Sequence, residues 1–187
     1  NARACCTSCC DDPDRGGVVT GYVALLRAVN VGGRGLLAMK DLQALCSELG
    51  LGNVRTYIQS GNVVFDSDRP EAALKRMLEA AITNRLGRAV QVLIRTSVEL
   101  KAVVEANPFP DAQADQVGVI FLPKPVRSTE LAEIVIQGRE EVQAVGREVF
   151  VHYPDGMGRS KLKLPFATDG TTRNLNTIGK LLSMAGG

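Results

Sequence analysis

Between Tyr22 and Ile94 the apolar residues change their spacing in an order that admits very few folds. Tyr22 to Leu26 is a short apolar run closed by Arg27, and Ala28 to Leu37, with Gly32, Gly33 and Gly35, reads as a loop leaving a buried strand. Leu42, Leu45, Cys46 and Leu49 then recur at helical spacing and Gly50 stops them, so Met39 to Leu49 is predicted to be an amphipathic helix. Val54, Thr56 and Ile58 alternate with Arg55, Tyr57 and Gln59, and Ser60, Gly61 and Asn62 make a tight turn before Val63, Val64 and Phe65. That pattern predicts a hairpin. A second helical stripe, Leu74, Met77, Leu78, Ala81, Ile82 and Leu86, lies between an Asp68–Glu71 capping box, with Pro70 in its first turn, and a terminal Gly87. Val90, Val92 and Ile94 return to alternation.

The order is βαββαβ, and right-handed crossovers put both helices on one face of a four-stranded antiparallel sheet. Thr96 and Glu99 form a further capping box for a helix running toward Asn107, which Pro108 and Pro110 end. The remainder repeats the order less regularly. Its expected elements are a strand Val117 to Leu122, a helix from Ser128 with Leu131, Ile134 and Val135 inward, and strands Glu141 to Val145 and Glu148 to Tyr153. A short helix near Met157 to Leu162, a strand near Gly170 to Thr172 and a final helix with Leu175, Ile178, Leu181 and Leu182 complete it. The expectation is an α+β protein of duplicated ferredoxin-like βαββαβ halves with mainly antiparallel sheets. It divides into a tail at 1–20, a first half at 21–95, and a linker helix with the second half at 96–187.

Cys5, Cys6, Cys9 and Cys10 crowd the tail, whereas the rest of the chain holds only Cys46. Adjacent thiols cannot supply the two separated pairs that usually bind structural zinc. Residues 1–20 are therefore expected to be a disordered or artefactual extension, with the natural start near Val18 or Val19. A body with one cysteine fits a reducing, cytoplasmic compartment. No apolar run approaches the ~20 residues of a membrane span. The net charge of +2 is too mild to name a polyanionic partner. His152 is the only histidine, which removes histidine triads and histidine metal cages. No cofactor or metal is expected.

Two polar sets carry what chemistry the chain offers. In the first half, Arg27, Asn30, Arg55, Tyr57, Gln59, Ser60 and Asn62 come from two strands and their loops, and Arg55, Tyr57 and Gln59 share one sheet face. That face either meets a partner or packs on the second half. In the second half, Arg159, Ser160 and Lys161 follow Gly156 and Gly158, giving two charges and a hydroxyl suited to a phosphate or carboxylate. Arg173, Asn174 and Asn176, with Thr171, Thr172 and Thr177, are more polar groups than one helix cap needs. The glycines of 32–35 fit neither phosphate-loop spacing, so turn chemistry accounts for them. The resulting expectation is an anionic ligand, a nucleotide or nucleic-acid phosphate, bound between the halves by these residues. Two alternatives stay open: a histidine-independent enzyme using Ser160 or Lys161 on a small anionic substrate, or a structural homo-oligomer. Whether the chain is an enzyme is left undecided.

The stretches Tyr22-Val-Ala-Leu-Leu-Arg-Ala-Val-Asn-Val-Gly-Gly33 and Arg55-Thr-Tyr-Ile-Gln-Ser-Gly-Asn-Val-Val-Phe65, with Gly158-Arg-Ser-Lys161 and Thr171-Thr-Arg-Asn-Leu-Asn-Thr177, resemble the bacterial domain of unknown function 1697 family. The resemblance spans roughly residues 20–184 and implies a duplicated ferredoxin-like fold, with no activity attached. Ala28 stands where that family usually has Gly, and Leu175 where it usually has Trp.

Overall fold

Tyr22, Ala24 and Leu26 point to one side of their strand and Val23 and Leu25 to the other, and all five are buried. A strand covered on both faces is the centre of a layered molecule. The computed structural model describes residues 18–30 and 37–186; the cysteine tail and Gly32, Gly33 and Gly35 lie outside the described residues. The first half comprises β1 (Thr20–Leu26), α1 (Met39–Glu48), β2 (Gly52–Tyr57), β3 (Asn62–Ser67), α2 (Glu71–Leu86) and β4 (Val92–Thr96), leading without a gap into α3 (Ser97–Glu105). The second comprises β5 (Val117–Phe121), α4 (Ser128–Ala132), β6 (Glu141–Val145), β7 (Glu148–His152) and β8 (Thr171–Asn174), leading likewise into α5 (Leu175–Ala185).

Each half forms one four-stranded sheet, ordered β2-β3-β1-β4 and β6-β7-β5-β8, and every pairing is antiparallel. The halves thus share one strand order and an α+β architecture. On the outer face of the first sheet, α1 and α2 bury Leu42, Cys46, Leu74, Leu78 and Ile82 against Ala24, Leu26, Val63 and Phe65. Burying each such side chain contributes about 1.5–3 kcal/mol. The inner faces of both sheets meet around α3 and α5, where Val23, Leu25, Val64 and Leu93 join Leu100, Val119, Phe121, Phe150, Ile178 and Leu181 in one core.

The outer face of the second sheet differs from expectation. Among the described residues no α-helix covers it; a 3-10 turn at Met157–Arg159, an extended stretch and a second 3-10 turn at Pro165–Asp169 lay Leu162, Leu164 and Phe166 over Ile120, Val149 and Val151. The cause is spacing, because Leu162, Leu164 and Phe166 recur every second residue and suit an extended ribbon. Ser128 starts only five helical residues, so Val135, expected inward, lies beyond the helix and is 71% exposed. The Thr96–Glu99 capping box forms, whereas the Asp68–Glu71 box does not: Pro70 takes the cap position of α2 without a side-chain bond.

Ala28, Asn53 and Ile58 take left-handed backbone without glycine, and Gly61 makes a close contact. Gly61 has φ of +77°, and a Cβ there would come within 2.6 Å of Val29, so the β2–β3 turn lies flush on the exit of β1. Ala28 has φ of +47°, which explains glycine as the usual residue of the resembled family at this place. Among the described residues no helix is long and apolar enough to cross a membrane.

Candidate functional site

The last interior position of each fourth strand is an arginine, and each is buried across the junction between halves. Arg173 of β8 donates through Nε to Asn62 Oδ1, through Nη2 to the carbonyls of Leu26 (3.0 Å) and Ser60 (2.9 Å), and through Nη1 to Thr171 Oγ1 and the Thr172 carbonyl. A guanidinium has five N–H donors, so none remains for a ligand. No carboxylate lies among these partners, and burial pushes the Arg173 pKa down to about 10. Arg95 of β4 mirrors this arrangement, donating to Glu148 Oε1 at 2.7 Å, to the Leu122 carbonyl and to that of Ile94. Leu26 and Leu122 follow or end the first strands, and Asn62 and Glu148 open the third strands, so the two contacts are related by the duplication.

The other first-half candidates are placed by the same packing. Asn30 donates to the Leu37 and Gln59 carbonyls and accepts from the Leu37 amide, closing the mouth of its loop. Arg55 donates to the Met184 carbonyl at the end of α5, and Tyr57 lies partly buried against the core between sheets. Their face therefore meets the second half. Asn62 is fully buried, whereas Arg27 is exposed at the strand exit. Asn174 caps α5 by accepting from the Thr177 amide, and Asn176 is exposed on that helix.

Arg159, Ser160 and Lys161 sit elsewhere, over the outer edge of the second sheet. With Gln137, Gly138, Glu140, Tyr153 and Asp155 they line a cleft of about 320 Å³. The 3-10 turn delivers Arg159 to the rim, and Leu162, held in the core, fixes the ribbon behind it. Ser160 Oγ donates to Glu140 Oε1 and accepts from the Leu162 amide at 3.1 Å. That bond from Ser160 is the main reason the Glu140 carboxyl is held below its ordinary range. The other carboxylate oxygen of Glu140 is buried without a partner. Burial, and then the Glu140 charge, push the Tyr153 hydroxyl up. Arg139 holds Asp155 in an ion pair, whereas Arg159 and Lys161 make none within 4.0 Å among the described residues. The structure thus brings Arg159, Ser160 and Lys161 together and keeps them apart from Arg27, Arg55 and Arg173.

Sequence reasoning gives no site role to Arg95, Glu140 or Arg147. Arg147 bridges the halves, with Nη1 3.1 Å from Glu71 and Nη2 2.7 Å from Glu99. Arg95 carried a signal, a lone charge in an otherwise apolar strand one residue before a cap, which is also where Arg173 stands. Among the described residues no group of three or more His, Cys, Asp or Glu side chains is placed to hold a metal.

Fold and cleft together define a two-half α+β protein with a small basic-rimmed depression in its second half. Residues 19–150 match the family described as protein of unknown function DUF1697, and the chain belongs to that family. The Gly158–Lys161 and Thr171–Thr177 motifs fall beyond the matched span. The conserved bacterial protein SP0830 from Streptococcus pneumoniae has a similar structure, with a TM-score of 0.73 at 22% identity over 89% of this chain and 99% of that one. At that identity the likeness speaks for the fold. No curated protein matches.

Proposed function

We propose that the protein binds a small anionic ligand, such as a nucleotide phosphate, in the cleft rimmed by Arg159, Ser160 and Lys161. One observation carries the reading: two cations line a depression of about 320 Å³ with no ion pair of their own among the described residues, while neighbouring Arg139 is neutralised by Asp155. Two such charges suit a phosphoryl or carboxylate group, while the Ser160 hydroxyl, its one donor spent on Glu140, fixes the ribbon that carries them. The inter-half position first expected for the ligand is less favourable, because Arg173 has no donor to offer. Calorimetric titration with inorganic phosphate, pyrophosphate and ATP tests this. Saturable heat that disappears in Arg159→Ala/Lys161→Ala supports it; no heat from any of the three ends it.

An enzymatic reading has one observation behind it, the Ser160 hydroxyl donated to Glu140. A carboxylate held below its ordinary range is a weak base, so Glu140 is poorly suited to activate that hydroxyl. Product analysis in the same titrations separates turnover from binding. The buried thiol of Cys46, the single cysteine of the body, is consistent with a reducing, cytoplasmic setting.

A further inference from the structure

The basic rim does not end at Lys161. From Arg159 to Phe166 exposure alternates residue by residue: Arg159, Lys161 and Lys163 face outward, while Leu162 and Leu164 pack inward over the second sheet and Ser160 is held on Glu140. Lys161 and Gln137 also line a second cleft, of about 610 Å³, with Glu133, Val135, Lys163 and Pro165. The two clefts therefore adjoin along one ribbon.

In extended chain, residues two apart are separated by roughly 6.6 Å. Three cations at that interval form a row, and none of the three makes an ion pair within 4.0 Å among the described residues. A single phosphate would engage one or two of them. A linear polyanion with repeating charge engages all three, because consecutive phosphates of one strand are separated by a six-bond backbone repeat comparable in length to the cation spacing. A single strand presents that row of phosphates on a backbone free to follow the ribbon. Aromatic platforms are missing from both linings except for buried Tyr153, so contacts fall on phosphate and sugar and carry little base preference.

We propose that Arg159, Lys161 and Lys163 form a backbone track for single-stranded polynucleotide, each cation taking one phosphate. The proposal rests on the anion-binding reading and narrows its ligand. Of the facing carboxylates, Asp155 is held by Arg139 and Glu140 by Ser160, which leaves Glu133 as the opposing charge in the second cleft.

Fluorescence anisotropy with labelled oligouridylate and oligothymidylate, measured across a salt series, tests the track. Three phosphate contacts predict a slope of log K against log salt of about −2. Lys161→Ala and Lys163→Ala should each reduce the slope by about 0.7, Glu133→Gln should tighten binding, and Lys40→Ala on α1 should change nothing. All the altered side chains are exposed, so a melting temperature equal to the parent confirms that each variant folds. Oligomers that bind no better than ATP, while phosphate and ATP still bind, overturn the track and leave the anion site standing. Failure of small anions and oligomers alike removes both.

Discussion

Arg95 and Arg173 each stand one residue before the cap of a helix, and each donates its guanidinium to the opposite half. Arg95 ends on the Leu122 carbonyl and Glu148, Arg173 on the Leu26 carbonyl and Asn62. The two differ in one respect: Arg95 has a carboxylate partner and Arg173 has only neutral acceptors.

That difference separates their variants. Arg95→Met leaves Glu148 nearly buried without its cation and should cost about 3 kcal/mol, whereas Arg95→Met/Glu148→Leu should recover most of the loss. Arg173→Met leaves several oxygens unpaired and should cost about 2–3 kcal/mol, with no recovery from changing Asn62 alone. Urea midpoints read both, and an unshifted midpoint for either arginine would remove it from the junction's stability.

Ala28 sits in the left-handed region without glycine's freedom. Relieving about 1–2 kcal/mol of strain against the extra flexibility of the unfolded chain, Ala28→Gly should stabilise by up to about 1 kcal/mol. A lower melting temperature in Ala28→Gly would contradict the geometry.

Acid should weaken the junction through Glu99. Burial alone would raise this carboxyl, but the Thr96 amide and hydroxyl and the charges of Arg147 and Arg95 outweigh it and hold the pKa below 4.5. A depressed carboxyl contributes stability that is present above its unfolded pKa and is lost as pH falls through the lower folded one. In Glu99→Gln, stability should fall less steeply below about pH 4.5 than in the parent. Parallel acid limbs for the two proteins would show that Glu99 does not act this way.

Cys46 is fully buried and its thiol is pushed up to about 12. Because the thiolate is the reactive form, maleimide should leave native Cys46 unmodified at neutral pH and label it only on unfolding. Mass spectrometry before and after denaturant, restricted to the peptide containing Cys46, gives the readout.

The strands and helices from Tyr22 to Glu105 were legible because each announces itself locally, by alternation or by a helical stripe. The cover of the second sheet was not, since the short helix expected near Met157 to Leu162 is only a 3-10 turn, and Leu162, Leu164 and Phe166 are spaced as a ribbon. The duplication was visible in element order, and so was the meeting of the Arg55 and Tyr57 face with the second half as one of two readings. The partners of Arg173 were not: Leu26 and Ser60 lie 147 and 113 residues away, and a sequence pattern carries no distance of that kind. The polar surplus around Thr171 to Asn176 is in part the internal wiring of that arginine and in part the cap of α5.

The exchange of arginines also governs how the molecule comes apart. Because each guanidinium ties off strand ends in the opposite half, separating the halves would strip hydrogen bonds from β1 and β3 on one side and from β7 and the exit of β5 on the other. Neither sheet can then melt ahead of its neighbour. The whole body should lose structure in a single cooperative transition, with calorimetric and van't Hoff enthalpies in agreement, despite being built from two repeats.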